Sequence, residues 1–99
     1  MNQKFLIVDN KLIYSIVNIH SELLPEKYEK ILGGGYWNIR KKFKTIYFYG
    51  TSDEFNSISF NDLKNIKNTN CPEYLKEYIW KYSKEKTFEK ALINNLTVL

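Results

Sequence analysis

The apolar positions in the first twenty residues predict a β-hairpin. Lys4–Val8 is a short apolar run rich in β-forming residues, and Asp9-Asn10 suits a two-residue turn with positive φ. Leu12–Ile19 returns as a second strand with apolar residues on both of its faces. We therefore expect other parts of the chain to pack on each side of this hairpin.

A second hairpin is predicted in the middle of the chain. Tyr36–Arg40 and Lys44–Tyr49 are its strands, and in the latter Ile46 and Phe48 alternate with Thr45, Tyr47 and Tyr49. The basic segment Arg40-Lys41-Lys42 falls at the turn and is expected to be solvated. With the first hairpin, this predicts a small mixed sheet of about four to six strands.

Helical spacing is seen between the two hairpins. Apolar residues at 24, 28, 31 and 32 predict a helix between Ser21, its N-cap, and Leu32. Gly33, Gly34 and Gly35 then form the predicted turn from this helix into the second hairpin. Since glycine has no Cβ, such a turn can take positive φ and lie close to a neighbouring backbone.

Two further helices are predicted after the second hairpin. Ser59 caps a short one with Leu63 and Ile66 facing inward, and a second runs from Pro72 to about Lys84. The apolar residues of the second recur at i, i+3, i+4 and i+7: Leu75, Tyr78, Ile79 and Tyr82. Residues 87–95 continue this helix or begin another, and residues 96–99 fray or add an edge strand.

Length and composition predict one α+β domain over residues 1–99, with a core in 1–70 and a helical C-terminal extension in 71–99. The chain has 99 residues, too few for two cores. Its one cysteine, Cys71, excludes an internal disulfide and a zinc site and suits a reducing compartment. With no signal-peptide pattern and no apolar run of membrane length, a cytoplasmic location is expected.

Candidate chemistry centres on the lone histidine, His20, and on the loop Gly50-Thr51-Ser52-Asp53, whose N–H groups are able to converge on an anion. A net charge of +4 favours anionic ligands without requiring nucleic acid. Simpler roles stay open: His20 as a polar capping residue, Lys4 as a solvated edge charge, and Thr51 and Ser52 as local partners of loop N–H groups. Asp53 and Glu54 would repel a phosphate dianion.

The chain resembles the small phosphohistidine phosphatases related to the Janus and Ocnus proteins. The resemblance rests on a set of short motifs: Leu32-Gly33-Gly34-Gly35, Tyr49-Gly50-Thr51-Ser52-Asp53-Glu54-Phe55-Asn56, Ile58-Ser59 and His20-Ser21-Glu22-Leu23. It spans roughly residues 4–66, and Lys4 fills the place of a lysine on the family's first strand. Tyr36 stands where the family has arginine, and Asn56 where it has glycine.

This resemblance implies a metal-independent phosphatase acting on a phosphoramidate, such as phosphohistidine or phospholysine, or on another small phosphorylated ligand. His20 would be base or nucleophile, Lys4 would add charge, and the N–H groups of Ser21 and of residues 50–53 would hold phosphate oxygens. No metal or cofactor is implied. The substrate would be a small phosphorylated molecule or a phosphoprotein.

The alternative is a non-catalytic binding or inhibitor module that uses the same cleft for a nucleotide-like ligand or a protein partner. The aromatic-rich helix predicted at Tyr74–Tyr82 is a candidate surface for such a partner. Nucleic-acid binding, through Arg40-Lys41-Lys42 and Lys44 with Tyr47 and Tyr49 as stacking platforms, ranks last. No membrane association is expected.

Overall fold

A computed structural model describes residues 2–94 and 96–99, which form an α+β fold around one mixed sheet with the strand order β2-β1-β3-β4-β5-β6. The strands are β1 (Asn2–Val8), β2 (Lys11–Val17), β3 (Ile31–Arg40), β4 (Thr45–Tyr49), β5 (Ile79–Tyr82) and β6 (Thr97–Val98). The α-helices are α1 (Phe60–Thr69) and α2 (Phe88–Ile93), and 3-10 helices cover His20–Leu23, Lys41–Phe43 and Glu73–Leu75. Six strands and two α-helices in these residues agree with the predicted fold class. None of the described helices has the length and apolar character needed to span a membrane.

The first hairpin is confirmed. β1 and β2 pair antiparallel from Asn2 opposite Val17 to Val8 opposite Lys11. Asp9 and Asn10 form the turn with φ angles of 50° and 61°, as a tight hairpin requires. The Asp9 carboxylate also accepts a hydrogen bond from the backbone N–H of Lys30 over 2.8 Å, which fixes the segment leading into β3 to the hairpin turn.

The second hairpin is also confirmed. β3 and β4 pair antiparallel from Tyr36 opposite Tyr49 to Arg40 opposite Thr45, and Lys44 leaves the turn with a φ of 45°. The basic residues at its tip are exposed, as expected. Since β3 also pairs with β1, the two hairpins join into one sheet through these two strands.

The predicted turn at Gly33, Gly34 and Gly35 is wrong, because the three glycines lie inside β3. A Cβ on Gly34 would stand 2.3 Å from the carbonyl oxygen of Phe5, and one on Gly35 would stand 2.5 Å from that of Tyr49. Gly33 has a φ of 142° beside a register shift between Ile7 and Val8. The run therefore allows close approach of neighbouring backbones within a strand.

The predicted helix between Ser21 and Leu32 is wrong as well. A 3-10 helix of four residues starts at His20, and Leu24 is already extended with a ψ of 132°. Pro25 explains this end, because a residue before proline is sterically driven from helical to extended backbone. Tyr28, assigned to an apolar helix face, is 45% exposed.

The C-terminal part of the chain is not the predicted helical extension. The predicted helix from Pro72 to Lys84 is replaced by a 3-10 turn and β5, which pairs parallel with β4. Ile79 was expected inside a helix and is 48% exposed, whereas Trp80 is fully buried. The helix Tyr74–Tyr82, predicted as a surface for a protein partner, therefore does not form. Instead of a helical extension, this part of the chain contributes the strands β5 and β6 to the sheet, with the short helix α2 between them.

For the described residues, the structure decides between the alternatives left open for residues 87–95 and 96–99. Thr87 caps α2, whose first turn it closes by accepting a hydrogen bond from the Lys90 N–H, so a separate second helix forms. Residues 97–98 add the edge strand β6, which pairs antiparallel with β5. Asn95, the last residue of the segment predicted at 87–95, lies outside the described residues.

Both faces of the sheet carry a buried cluster. On one face, Leu63 and Ile66 of the Ser59-capped helix α1 pack on a cluster that includes Phe5, Phe48 and Trp80. On the other face, a smaller cluster contains the buried side chains Leu6, Val8 and Leu23. Burial on both sides explains the continuous apolar run of β1, and it fixes the position of the segment that carries His20.

Candidate functional site

His20 lies where the chain leaves β2 and enters the first 3-10 helix. Its side chain is only 2% exposed, and Nε2 lies 2.8 Å from the carbonyl oxygen of Gly35. Because a carbonyl oxygen only accepts hydrogen bonds, Nε2 is the donor. In the neutral ring, Nδ1 is then the basic nitrogen.

Lys4 and Tyr36 adjoin His20. They are directly opposite each other on β1 and β3, and the Lys4 Nζ lies 5.9 Å from the centre of the Tyr36 ring. The His20 and Tyr36 rings meet edge to face with centres 5.8 Å apart. Lys4 is 9% exposed and donates a 2.6 Å hydrogen bond to the Asn18 carbonyl oxygen, so it is no solvated edge charge. Tyr36 thus contacts both Lys4 and His20.

Glu54 connects the loop after β4 to the His20 segment. Its carboxylate accepts a 3.1 Å hydrogen bond from the backbone N–H of Ser21, although the two residues are 33 positions apart. Ser21 N–H is one of the groups predicted to hold a phosphate oxygen. In this structure that N–H, next to His20, already donates its hydrogen bond to the Glu54 carboxylate.

Within the loop itself, Ser52 is a structural residue. It is 2% exposed, its N–H donates to the Gly34 carbonyl oxygen, and its hydroxyl accepts from the Phe55 N–H over 3.1 Å. Gly50 and Asn56 bracket the loop with φ angles of 72° and 65°. Ser52 therefore holds the loop against β3, and its own N–H is not available to a phosphate. The Thr51 hydroxyl lies 3.4 Å from the Ser52 carbonyl oxygen, and Asp53 is exposed.

The surroundings of His20 lower the pKa of its imidazole. Burial is the main cause because it disfavours the charged ring, and the nearby Lys4 acts in the same direction. The Gly35 carbonyl, Glu54 and Asp53 act in the opposite direction. His20 is consequently neutral at neutral pH, which is the form that can act as base or nucleophile.

An aromatic cluster extends from Tyr36 across the same face of the sheet. Tyr36 stacks on Tyr49 with ring centres 5.7 Å apart, and Phe88 of α2 lies 5.7 Å from Tyr49. A cavity of about 280 Å³ opens between these rings and the first residues of β1. A different cavity, of about 360 Å³, lies beside Phe60 and Tyr82.

The structure thus brings His20, Lys4 and Ser21 together with the loop after β4, and it assigns Gly33, Gly34 and Gly35 to backbone packing. Sequence reasoning missed Glu54 as the partner of Ser21 and Phe88 as part of the aromatic cluster. Strand alternation was a usable signal for Tyr36, since it places Tyr36 and Tyr49 on one face of adjacent strands. No such signal exists for Glu54, whose position depends on the path of the loop.

Comparisons of the chain with protein-family models, with curated protein sequences and with solved structures give no match. Family and function therefore rest on the residues and geometry described above.

Proposed function

We propose that this chain is a binding module of phosphohistidine-phosphatase-like architecture, which holds a phosphorylated ligand beside His20 without hydrolysing it. The resemblance in the motifs supports the architecture, and so does Asn56. Asparagine tolerates positive φ better than any residue other than glycine, and Asn56, at the family's glycine position, has a φ of 65°.

The Glu54 carboxylate on the Ser21 N–H carries the proposal. A carboxylate and a phosphate oxygen accept the same hydrogen bond, so this contact marks a position suited to an anion, close to His20 and Lys4. An incoming phosphate has to displace Glu54 and then remain beside its negative charge. Both effects weaken binding and oppose the build-up of charge that phosphoryl transfer requires.

The burial of His20 argues in the same direction. A nucleophile or general base has to come within about 3 Å of the atom that it attacks or deprotonates. A ring that is 2% exposed and hydrogen-bonded to Gly35 reaches a ligand only after the segment 18–24 moves. Its role in the proposed module is to hold the segment that carries the Ser21 N–H in position.

Titration of the full chain with inorganic phosphate, followed by the backbone amide resonances in NMR spectra, tests the proposal. We expect phosphate to shift the Ser21 amide, and Glu54→Gln to tighten binding by about two- to fivefold through loss of a like charge. Glu26→Gln is the matched control, because Glu26 is an exposed acid in the connection to β3. The absence of a Ser21 shift in the wild type and in Glu54→Gln contradicts the proposal.

The second candidate is a phosphoramidate hydrolase, favoured by the neutral imidazole of His20 with its basic Nδ1. Hydrolysis of phosphoramidate, monitored by ³¹P NMR, separates the two functions. We expect no rate above that of the buffer. A measurable rate that is lost in His20→Ala, with the variant still folded by circular dichroism, would establish the hydrolase.

A further inference from the structure

The cavity between Tyr36, Tyr49 and Phe88 has the features of a binding site for a planar ring. It lies on the face of the sheet opposite α1, because Tyr36 and Tyr49 alternate along their strands with Trp37 and Phe48, which belong to the cluster under α1. Its walls and rim are formed mainly by Asn2, Gln3, Tyr36, Tyr49, Lys86 and Phe88.

The aromatic side chains of the cavity lie at small angles to one another. The rings of Tyr36 and Tyr49 are inclined by 29°, and those of Tyr49 and Phe88 by 36°. The three rings thus pack on one another as one aromatic cluster, and the parts of them that line the cavity are a surface against which a further aromatic ring packs, by its face or its edge. Burial raises the pKa of the Tyr49 hydroxyl, so this ring stays neutral over the physiological pH range.

Cations surround these rings. The Arg40 guanidinium lies 5.1 Å from the centre of the Phe88 ring, and the Lys4 Nζ lies 5.9 Å from that of Tyr36. Lys86 is an exposed residue at the rim of the cavity. Within residues 2–94 and 96–99, the ion pairs join Lys44 to Glu77 and Lys76 to Glu73. Lys4, Arg40 and Lys86 take part in neither of these pairs. An aromatic cavity with such a rim suits a ligand that combines a flat ring with an anionic group.

We propose that this cavity binds the base of a single nucleotide, whose phosphate faces the side of Tyr36 that carries Lys4. Packing against the aromatic side chains that line the cavity holds the base, and the Asn2 side-chain amide, on the same face of β1 as Lys4, offers both a donor and an acceptor to its edge. The assignment of the phosphate rests on the proposed function, since it is the anion proposed beside His20. The assignment of the base rests on the cavity alone.

The size of the cavity decides between one nucleotide and a longer strand. Ligand sites for small molecules have volumes of about 300–1,000 Å³, and this cavity of about 280 Å³ lies just below that range. One base with its sugar fills it. A single-stranded nucleic acid requires a succession of stacking platforms, and Phe88 already covers Tyr47 with ring centres 5.2 Å apart.

Calorimetric titration of the full chain with the four common ribonucleoside monophosphates is the first test. We expect binding of at least one of them, weakened roughly fivefold or more in Phe88→Ala through loss of one stacking wall. Phe43→Ala is the matched control, because Phe43 is 66% exposed at the hairpin tip and also has a lysine, Lys42, over its ring. Absence of binding by all four nucleotides overturns the proposal, as does equal weakening in both variants.

A second variant guards against a folding defect in Phe88→Ala. Lys86→Gln changes only an exposed side chain, and we expect it to weaken nucleotide binding by about two- to fivefold and to leave binding of the matching nucleoside unchanged. Lys11→Gln, on the outer strand β2, is its control and should change neither. Unchanged nucleotide binding in Lys86→Gln, together with unchanged binding in folded Phe88→Ala, overturns the proposal.

Amide resonances in NMR spectra separate this inference from the proposed function. A nucleoside without phosphate should shift Tyr36, Tyr49 and Phe88, while inorganic phosphate should shift Ser21. If only the nucleoside acts, the cavity assignment stands and the anion site fails; if only phosphate acts, the reverse holds. A tetranucleotide that binds more tightly than its mononucleotides, with strong salt dependence, overturns the single-nucleotide assignment in favour of a nucleic-acid strand.

Discussion

The Nε2 atom of His20 donates a 2.8 Å hydrogen bond to the carbonyl oxygen of Gly35, which ties the lone histidine to the glycine run of β3. This bond fixes the tautomer and the orientation of the ring at once. It also means that His20 titrates in an environment set by β1, β3 and the loop after β4. Because the chain has a single histidine, one imidazole signal in an NMR spectrum reports on the whole site.

The two charged neighbours of His20 should shift its pKa in opposite directions. Glu54→Gln removes a negative charge that raises the pKa of His20, so the pKa should fall below that of the wild type. Lys4→Met removes a positive charge that lowers it, so the pKa should rise. Titration of the single imidazole resonance in each variant measures both shifts. Shifts of the same sign would show that the changes act through altered burial.

Acid should destabilise the protein in part through His20. The pKa of the folded His20 lies below its ordinary value of 6.5, so the unfolded chain binds the proton first as the pH falls. The stabilising contribution of His20 is therefore complete above about pH 6.5 and is lost as the pH falls toward the folded pKa. Urea unfolding between pH 7.5 and pH 5 should show a smaller loss of unfolding free energy in His20→Gln. An equal loss of unfolding free energy in the wild type and in His20→Gln would contradict this.

Gly34→Ala should destabilise the fold by roughly 1–3 kcal/mol or more, as expected for overpacking of a buried position. The new Cβ would stand 2.3 Å from the Phe5 carbonyl oxygen and 2.7 Å from Leu6 Cδ2, so β1 and β3 have to move apart. Ser15→Ala, at an exposed position on β2, is the control and should change stability by about 0.5 kcal/mol or less. Urea unfolding of both variants gives the comparison, and equal stabilities would exclude the close backbone contact.

Trp80→Ala should cost about 3–5 kcal/mol, because it removes a fully buried indole from the cluster under α1. Its neighbour Ile79 is 48% exposed, and Ile79→Ala should cost far less. The opposite order is expected if residues 72–84 form the amphipathic helix suggested by their spacing, since that helix buries Ile79. Thermal or urea unfolding of the two variants therefore distinguishes β5 from the helix.

Local signals in the sequence were sufficient for the hairpins and for α1. Asp9 and Asn10 favour positive φ, and Ser59 caps a helix by its own hydroxyl, so both features are encoded within a few residues. The segment 72–84 was misassigned because its apolar residues satisfy a helical period and, at Trp80 and Tyr82, an alternating one as well. Pairing with β4 decides between them, and that partner is more than 30 residues away.

The candidate site was predictable to a similar extent. The motifs around His20, Ser21 and residues 50–53 indicated which segments meet, and the structure places them in contact through Glu54 and Ser21. His20 is buried, and the Ser21 N–H is hydrogen-bonded to Glu54, because of the path of the loop and the packing of Leu23. Neither the loop path nor this packing is visible in the spacing of residues along the sequence. The sequence therefore indicated which segments lie together, but not the burial of His20 or the hydrogen bond between Glu54 and Ser21.

The parallel pairing of β5 with β4 has a consequence for synthesis on the ribosome. β4 leaves the exit tunnel about 30 residues before β5, and until then its buried side chains Ile46 and Phe48 lack the Trp80 ring that packs against them. The nascent chain thus presents an open apolar strand edge for several seconds at ordinary elongation rates. This edge of β4 is covered only when residues 79–82 emerge and pair with it.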